Sequence, residues 1–375
     1  MTSPAGPVAR RLAVPLSVLA TTRPLLLVAG MLALLAGLAG GLVRLDFRMP
    51  DATADLALRH GPLMVCGFLG TVISLERAVG VGGGAYAAPL LTALAAASLV
   101  LGAGEPAPAL LALAGSVALL ATTFVLLRRE PCLHLAAMAT AVGAWCIGNV
   151  CWLLGVPLVR VTPWWAAFLV LMIAGERLEL TRLARATRHR STEFVAAAAV
   201  LLGGVAIAVV RFDAGTRIAG AGMLLLACWL LRHDVARRAA REHGLARFMA
   251  TCLLAGHAWL AVSGLLWLVL GGEEAGIRRD AELHALFLGF VFGMIFAHAP
   301  VIFPAVLGRR VAYSPSFYAH VALLQATLVA RVAGDLAGAS AVRQWAGLGN
   351  VLAIVLFAAL TARAVLRGGT PARGT

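Results

Sequence analysis

The chain has 375 residues, of which 61% are hydrophobic and 13% charged, with a mean hydropathy of +0.91. Charged residues make up about a quarter of an average soluble domain, so a water-soluble globular fold is excluded. The net charge of +14 does not imply a nucleic-acid partner, because the basic residues, all of them arginine, lie in short loops between apolar runs.

Twelve apolar runs are long enough to cross a bilayer. They cover 22–43, 54–76, 85–102, 108–127, 131–154, 161–181, 193–210, 216–232, 246–270, 281–306, 313–334 and 344–366. The expected fold is all-α and polytopic, a single transmembrane domain over 22–366 with an interfacial segment at 1–21 and a polar tail at 367–375. At the start, Arg10-Arg11 precedes LAVPLSVLA, a faint likeness to a signal sequence. That run is short, broken by Pro15, and has no convincing cleavage site, so it is expected to stay attached. Trp164-Trp165 at the start of the sixth run reads as an interfacial anchor.

Loop charge sets the expected orientation. ERLELTRLARATRHR and RHDVARRAAREHGLAR follow the sixth and eighth runs, and Arg128-Arg129, Arg309-Arg310, Arg363, Arg367 and Arg373 fall on the same side. The opposite loops, RLDFRMPDATAD, GAGEPAP and GGEEAGIRRD, are mixed or acidic. Arginine marks the cytoplasmic side, so both ends are expected there, in the inner membrane of a bacterium. Six cysteines lie in or beside apolar runs without any C-x-x-C, which gives neither a disulfide framework nor a zinc site.

Ionisable residues inside a span are costly and mark functional sites. His60 opens the second run and His284 the tenth, both a few residues in from the outer side. Two histidines at one depth on different helices suit axial ligation of a haem, which needs small residues beside each ligand for the ring to approach. Gly67 follows His60, and after His284 the pair Gly289-x-x-x-Gly293 removes side-chain bulk, either for a close helix neighbour or for a flat cofactor. Met64, one turn from His60, is a packing residue or an alternative sulfur ligand.

His298 and His320 each lie ~10–12 Å from the inner ends of their runs, where adjacent antiparallel helices could bring them together around a second haem or a copper ion. Proton relay or an interhelical hydrogen bond are equal alternatives. His257 is expected near mid-membrane and His134 near the inner surface, both as auxiliary or packing groups. Glu76-Arg77 and Glu176-Arg177 end the second and sixth runs at the inner face, where such pairs reach for water.

A resemblance adds to this. RPLLLVAGMLALLAGLAG resembles the first span of the NnrS family of haem- and copper-associated membrane proteins. GHAWLAVSGLLWLVL and LHALFLGFVFGMIFAHAP resemble that family's ninth and tenth spans, with His257 where a tyrosine is usual. HGPLMVCGFLG also resembles the second-span motif of haem–copper oxidase catalytic subunits, which implies that His60 and His284 hold a low-spin haem b. The same resemblance implies an oxidase-like bundle.

Glu282 stands where the oxidases have the first histidine of H-x-H, and the sixth and seventh runs lack the histidines that hold copper there. Membership of the NnrS family would imply nitric oxide metabolism or nitrosative stress, with a quinone or cytochrome as redox partner and a small diatomic gas as ligand. A haem-dependent oxidoreductase falls within that reading, although no catalytic residue is assigned. The competing expectation is a cofactor-free, proton-coupled secondary transporter in which the histidines with Glu76 or Glu176 relay protons. A weaker third is an assembly subunit of a respiratory complex.

Overall fold

The structure, a computed structural model, describes residues 16–182, 188–309 and 311–368. Most of the expected 1–21 segment and 367–375 tail, part of the basic loop after the sixth span, and Arg310 lie outside the described residues. Among the described residues there is no strand, and twelve helices are long and apolar enough to cross a membrane. Spans 1 to 6 are Thr22–Arg44, Leu56–Val81, Gly83–Val100, Ala107–Arg129, Leu133–Leu153 and Leu158–Leu180. Spans 7 to 12 are His189–Ala208, Phe212–His233, Gly244–Leu270, Ile277–Leu307, Phe317–Ala337 and Ser340–Arg367. In hydrocarbon a backbone N–H or C=O has no water to bond, and a helix satisfies both internally, so apolar runs of this length fold this way.

Successive spans pack on one another, and span 10 sits centrally, touching spans 1, 2, 6, 9, 11 and 12. Spans 6 and 10 are the most enclosed. Close approach comes from glycine, because lipid tails provide no hydrophobic drive between helices and backbones must come near for dispersion to count. On span 8, Gly215 and Gly222 abut Ala208 and Leu201 of span 7. Gly220 faces span 9, where a Cβ would come within 2.6 Å of the Leu268 nitrogen.

Two stretches depart from α geometry. In span 2 the helix widens over Leu63–Leu69, and the Gly70 N–H bonds Val65 O, five residues back. In span 10 it widens over Ala285–Val291, and the Phe292 N–H bonds Phe287 O. Such π turns are rare and concentrate at functional sites. Each follows one of the two outer histidines.

The expected interfacial anchor at Trp164-Trp165 is corrected for the second residue. Trp165 is 1% exposed and donates its indole N–H to Asn149 Oδ1 at 3.0 Å. A hydrogen-bond partner inside the bundle outweighs the usual preference of an indole for the interface. Asn149 in turn donates to Ala112 O and Ser116 Oγ, so one buried amide ties together spans 4, 5 and 6.

Candidate functional site

Span 1 carries Gly37-Leu-Ala-Gly40-Gly41, and these glycines let it press onto span 2. A Cβ at Gly40 would overlap the Leu56 backbone, and one at Gly41 would come within 3.2 Å of His60 Cε1. The close approach brings the Gly37 carbonyl 2.7 Å from His60 Nδ1. On span 10, His284 Nδ1 lies 2.9 Å from the Asp280 carbonyl one turn back and 3.2 Å from Asp280 Oδ1. A neutral imidazole whose Nδ1–H donates to a carbonyl presents Nε2 as its lone pair, the tautomer a metal takes.

The two rings lie 6.4 Å apart, centre to centre, with 28° between their planes. Two metal–imidazole bonds of about 2 Å and two half-rings of about 1.1 Å would put ring centres about 6.2 Å apart. The pair therefore fits opposite sides of one iron. Both rings line a cavity of about 340 Å³ bounded by spans 1, 2, 6, 10, 11 and 12 and the loop before span 10. Its apolar wall includes Leu38, Leu69, Phe287, Phe292 and Ile354, and Met64 also faces it. The Met64 sulfur is seated against span 1, where a Cβ on Gly37 would come within 2.6 Å.

Four arginines line the same cavity, Arg44, Arg279, Arg331 and Arg343. Arg331 donates to Asp280 Oδ2 at 2.7 Å, and Arg343 reaches Asp335 Oδ1 at 3.1 Å. Arg279 donates to Glu282 Oε2 at 2.8 Å and lies over the Trp267 ring. Even so, Arg279 Nε and Nη2, Arg331 Nε and Asn350 Oδ1 are buried without a hydrogen-bond partner. Buried donors left unmade cost about 1–3 kcal/mol each, more when charged, so the free guanidinium N–H groups of Arg279 and Arg331 suit an anion, whereas Asn350 Oδ1 is an acceptor and does not.

The glycines expected to admit a flat ring turn elsewhere. A Cβ on Gly67 would meet Ala96 and Ala33 at 3.1 and 3.2 Å, so this residue fits spans 1 and 3 to span 2. Gly289 makes room for the Trp259 indole of span 9, and Gly293 lies against Cys252 O and Gly256 of the same span. All three abut neighbouring helices, and none lines the cavity.

The inner histidines are differently placed. His320 is 1% exposed and surrounded by Phe248, Phe296, Phe317 and Phe357, and His298 is not among its ring neighbours. His298 Nδ1 bonds Met294 O at 2.8 Å on its own helix. The expected inner pairing is thus not formed, because His320 is caged by aromatic rings. Among the described residues no group of three or more His, Cys, Asp and Glu could hold a metal.

His257 is fully buried, and its Nε2 lies 3.6 Å from Asp234 Oδ2. Asp234 directly follows span 8, so His257, midway along span 9, packs against the end of span 8. Burial works to raise the Asp234 carboxyl, yet two bonds and the charge of Arg177 hold it below the ordinary aspartate value. His134 is buried beside Cys132 Sγ, 3.5 Å away, and Glu179 Oε1, 3.8 Å away. Arg77 pairs with Glu176, tying the ends of spans 2 and 6, with Glu76 beside them.

Fold and site together define a polytopic helical membrane protein with an enclosed, histidine-flanked pocket. The chain belongs to the family described as Domain of unknown function (DUF8744), whose family model matches residues 23–366. Neither a curated protein nor a solved structure matches it.

Proposed function

We propose that this protein binds one haem b between His60 and His284 and works in electron transfer or in redox handling of a diatomic gas. The observation that carries the reading is the histidine pair, two near-parallel imidazoles 6.4 Å apart, each tied at Nδ1 to a main-chain carbonyl. When bound, the haem would supply one-electron chemistry, and a six-coordinate iron favours electron transfer over gas binding. The chain's own part is to fix the two tautomers, exclude water with the leucine and phenylalanine wall, and receive the porphyrin's carboxylates at Arg331 and Arg343.

The resemblance to NnrS proteins and to oxidase subunits supports an oxidase-like bundle in the bacterial inner membrane, and nitric oxide as the gas. The arginine-rich loops support a cytoplasmic placement of that face and of both chain ends. The cavity is bounded partly by the loop before span 10, Glu274 to Gly276, so a quinone or cytochrome would exchange electrons from the opposite side.

Purification from haem-replete cells followed by visible absorption tests the proposal. The expected result is a Soret band that is lost in H60A and in H284A and kept in H298A. A colourless, folded preparation overturns it and supports proton-coupled transport instead, for which the enclosed His257–Asp234–Arg177 cluster is the relevant feature.

A further inference from the structure

Spans 8 and 9 leave a shallow, open groove between them at the arginine-rich face. Cys228, Leu231 and Leu254 form its apolar part, Arg232, Arg237 and Arg241 its rim, and no carboxylate lines it. The backbone that carries these three exposed arginines is fixed by a buried ion pair. Asp234, turned inward, accepts two bonds from Arg177 of span 6 at 2.7 and 2.6 Å, and both groups are buried. The same carboxylate accepts the Ala236 N–H at 2.7 Å and so fixes the start of the short helix Ala236–Ala239, which lies on span 9. That turn brings Arg237 back far enough to donate to the Arg232 carbonyl at 3.5 Å.

Arg232 has Glu193 Oε1 at 3.9 Å. Among the described residues, Arg237 and Arg241 have no carboxylate within ion-pair reach. Like charges gathered on one rim repel unless an anion lies between them. Below the rim, Leu225 and Cys228 are exposed on the face of span 8 that carries Arg232, at helical spacings of three and seven. One stripe therefore runs from a hydrocarbon-facing leucine to a guanidinium at headgroup level. Basic pockets between helices at this level suit anionic lipid headgroups.

We propose that this groove binds an anionic glycerophospholipid, its phosphate held by Arg232, Arg237 and Arg241 and an acyl chain lying along Leu225, Cys228 and Leu254. The site is independent of the haem.

The test uses delipidated full-length protein in neutral detergent, titrated with phosphatidylglycerol or phosphatidylcholine and followed by native mass spectrometry and Tm. Phosphatidylglycerol is expected to be retained and to raise Tm, as any ligand of the folded state does. Phosphatidylcholine is expected to do neither. Binding by R232Q/R237Q/R241Q should be about a hundredfold weaker, each arginine contributing a factor of about five. Should that variant fail to fold, C228W, which fills the groove at an exposed position and leaves every charge, is expected to weaken retention as well. R128Q/R129Q/R363Q removes the same charge elsewhere on this face and should bind like the parent. Equal retention of phosphatidylcholine, an equal Tm rise with inorganic phosphate alone, undiminished binding by C228W, or an equal loss in the R128Q/R129Q/R363Q control would overturn the proposal.

Discussion

His60 and His284 are half-buried beside a cavity, whereas His257 and His320 are fully enclosed by packed side chains. Around His60 and His284, each ring has a carbonyl on Nδ1, a cavity beside it and a rim of arginines with unmade bonds. Around His257 and His320, neither ring nitrogen has a hydrogen-bond partner and the neighbours are aromatic rings or an ion pair already engaged with itself. What separates the two pairs is the group behind each ring and the space in front of it, and on the proposed function that difference separates a cofactor ligand from a packed imidazole. Depth in the membrane does not separate them.

The largest effect that could break this contrast is loss of the cofactor. H60A and H284A are each expected to abolish the Soret band, whereas H257A and H320A should keep it, read by absorption at equal protein concentration. Next comes the ion pair of the other region. R177Q leaves Asp234 buried and unpaired and should cost about 3–5 kcal/mol, measured as a fall in thermal or denaturant stability. Because the folded Asp234 value is depressed, this contribution is complete at neutral pH. It fades only as acid takes the pH below the ordinary aspartate value of about 4, a loss absent in D234N.

A smaller effect separates ligand from support. D280N removes the carboxylate that meets both His284 Nδ1 and Arg331, and haem retention should fall about 10–100-fold without disappearing. Smaller again, G289L would drive a side chain into the Trp259 indole and should cost about 1–3 kcal/mol of stability. The Soret position should not move, because that glycine packs a helix. A shifted band would return Gly289 to the cofactor site. W259F removes the indole bond to Gln325 Oε1, 2.7 Å long, and should cost about 1 kcal/mol by the same measurement.

The twelve spans were legible because length and apolarity alone decide them, and so was the common depth of His60 and His284, which follows from counting residues in from the loops. Other features depended on contacts between distant segments. Gly67 reads as room for a flat ring, and Gly289-x-x-x-Gly293 as room for either a close helix or a flat ring; which of the two holds depends on the neighbouring helix, and all three abut one. Arg331 and Arg343 carry no motif, and only the fold brings them to the rim with Asp280. The Gly37 carbonyl carries no side-chain signal in the sequence.

The widened stretches at Leu63–Leu69 and Ala285–Val291 each hold one residue more than a regular helix of the same rise. Deleting a single amino acid from either would let the backbone tighten and swing everything on its far side through about 100° of arc. One imidazole would then face a neighbouring helix or the acyl chains while its counterpart stayed put. The spare residue in each stretch thus acts as an alignment shim, and a one-codon deletion there should uncouple the two ligands while leaving all twelve crossings in place.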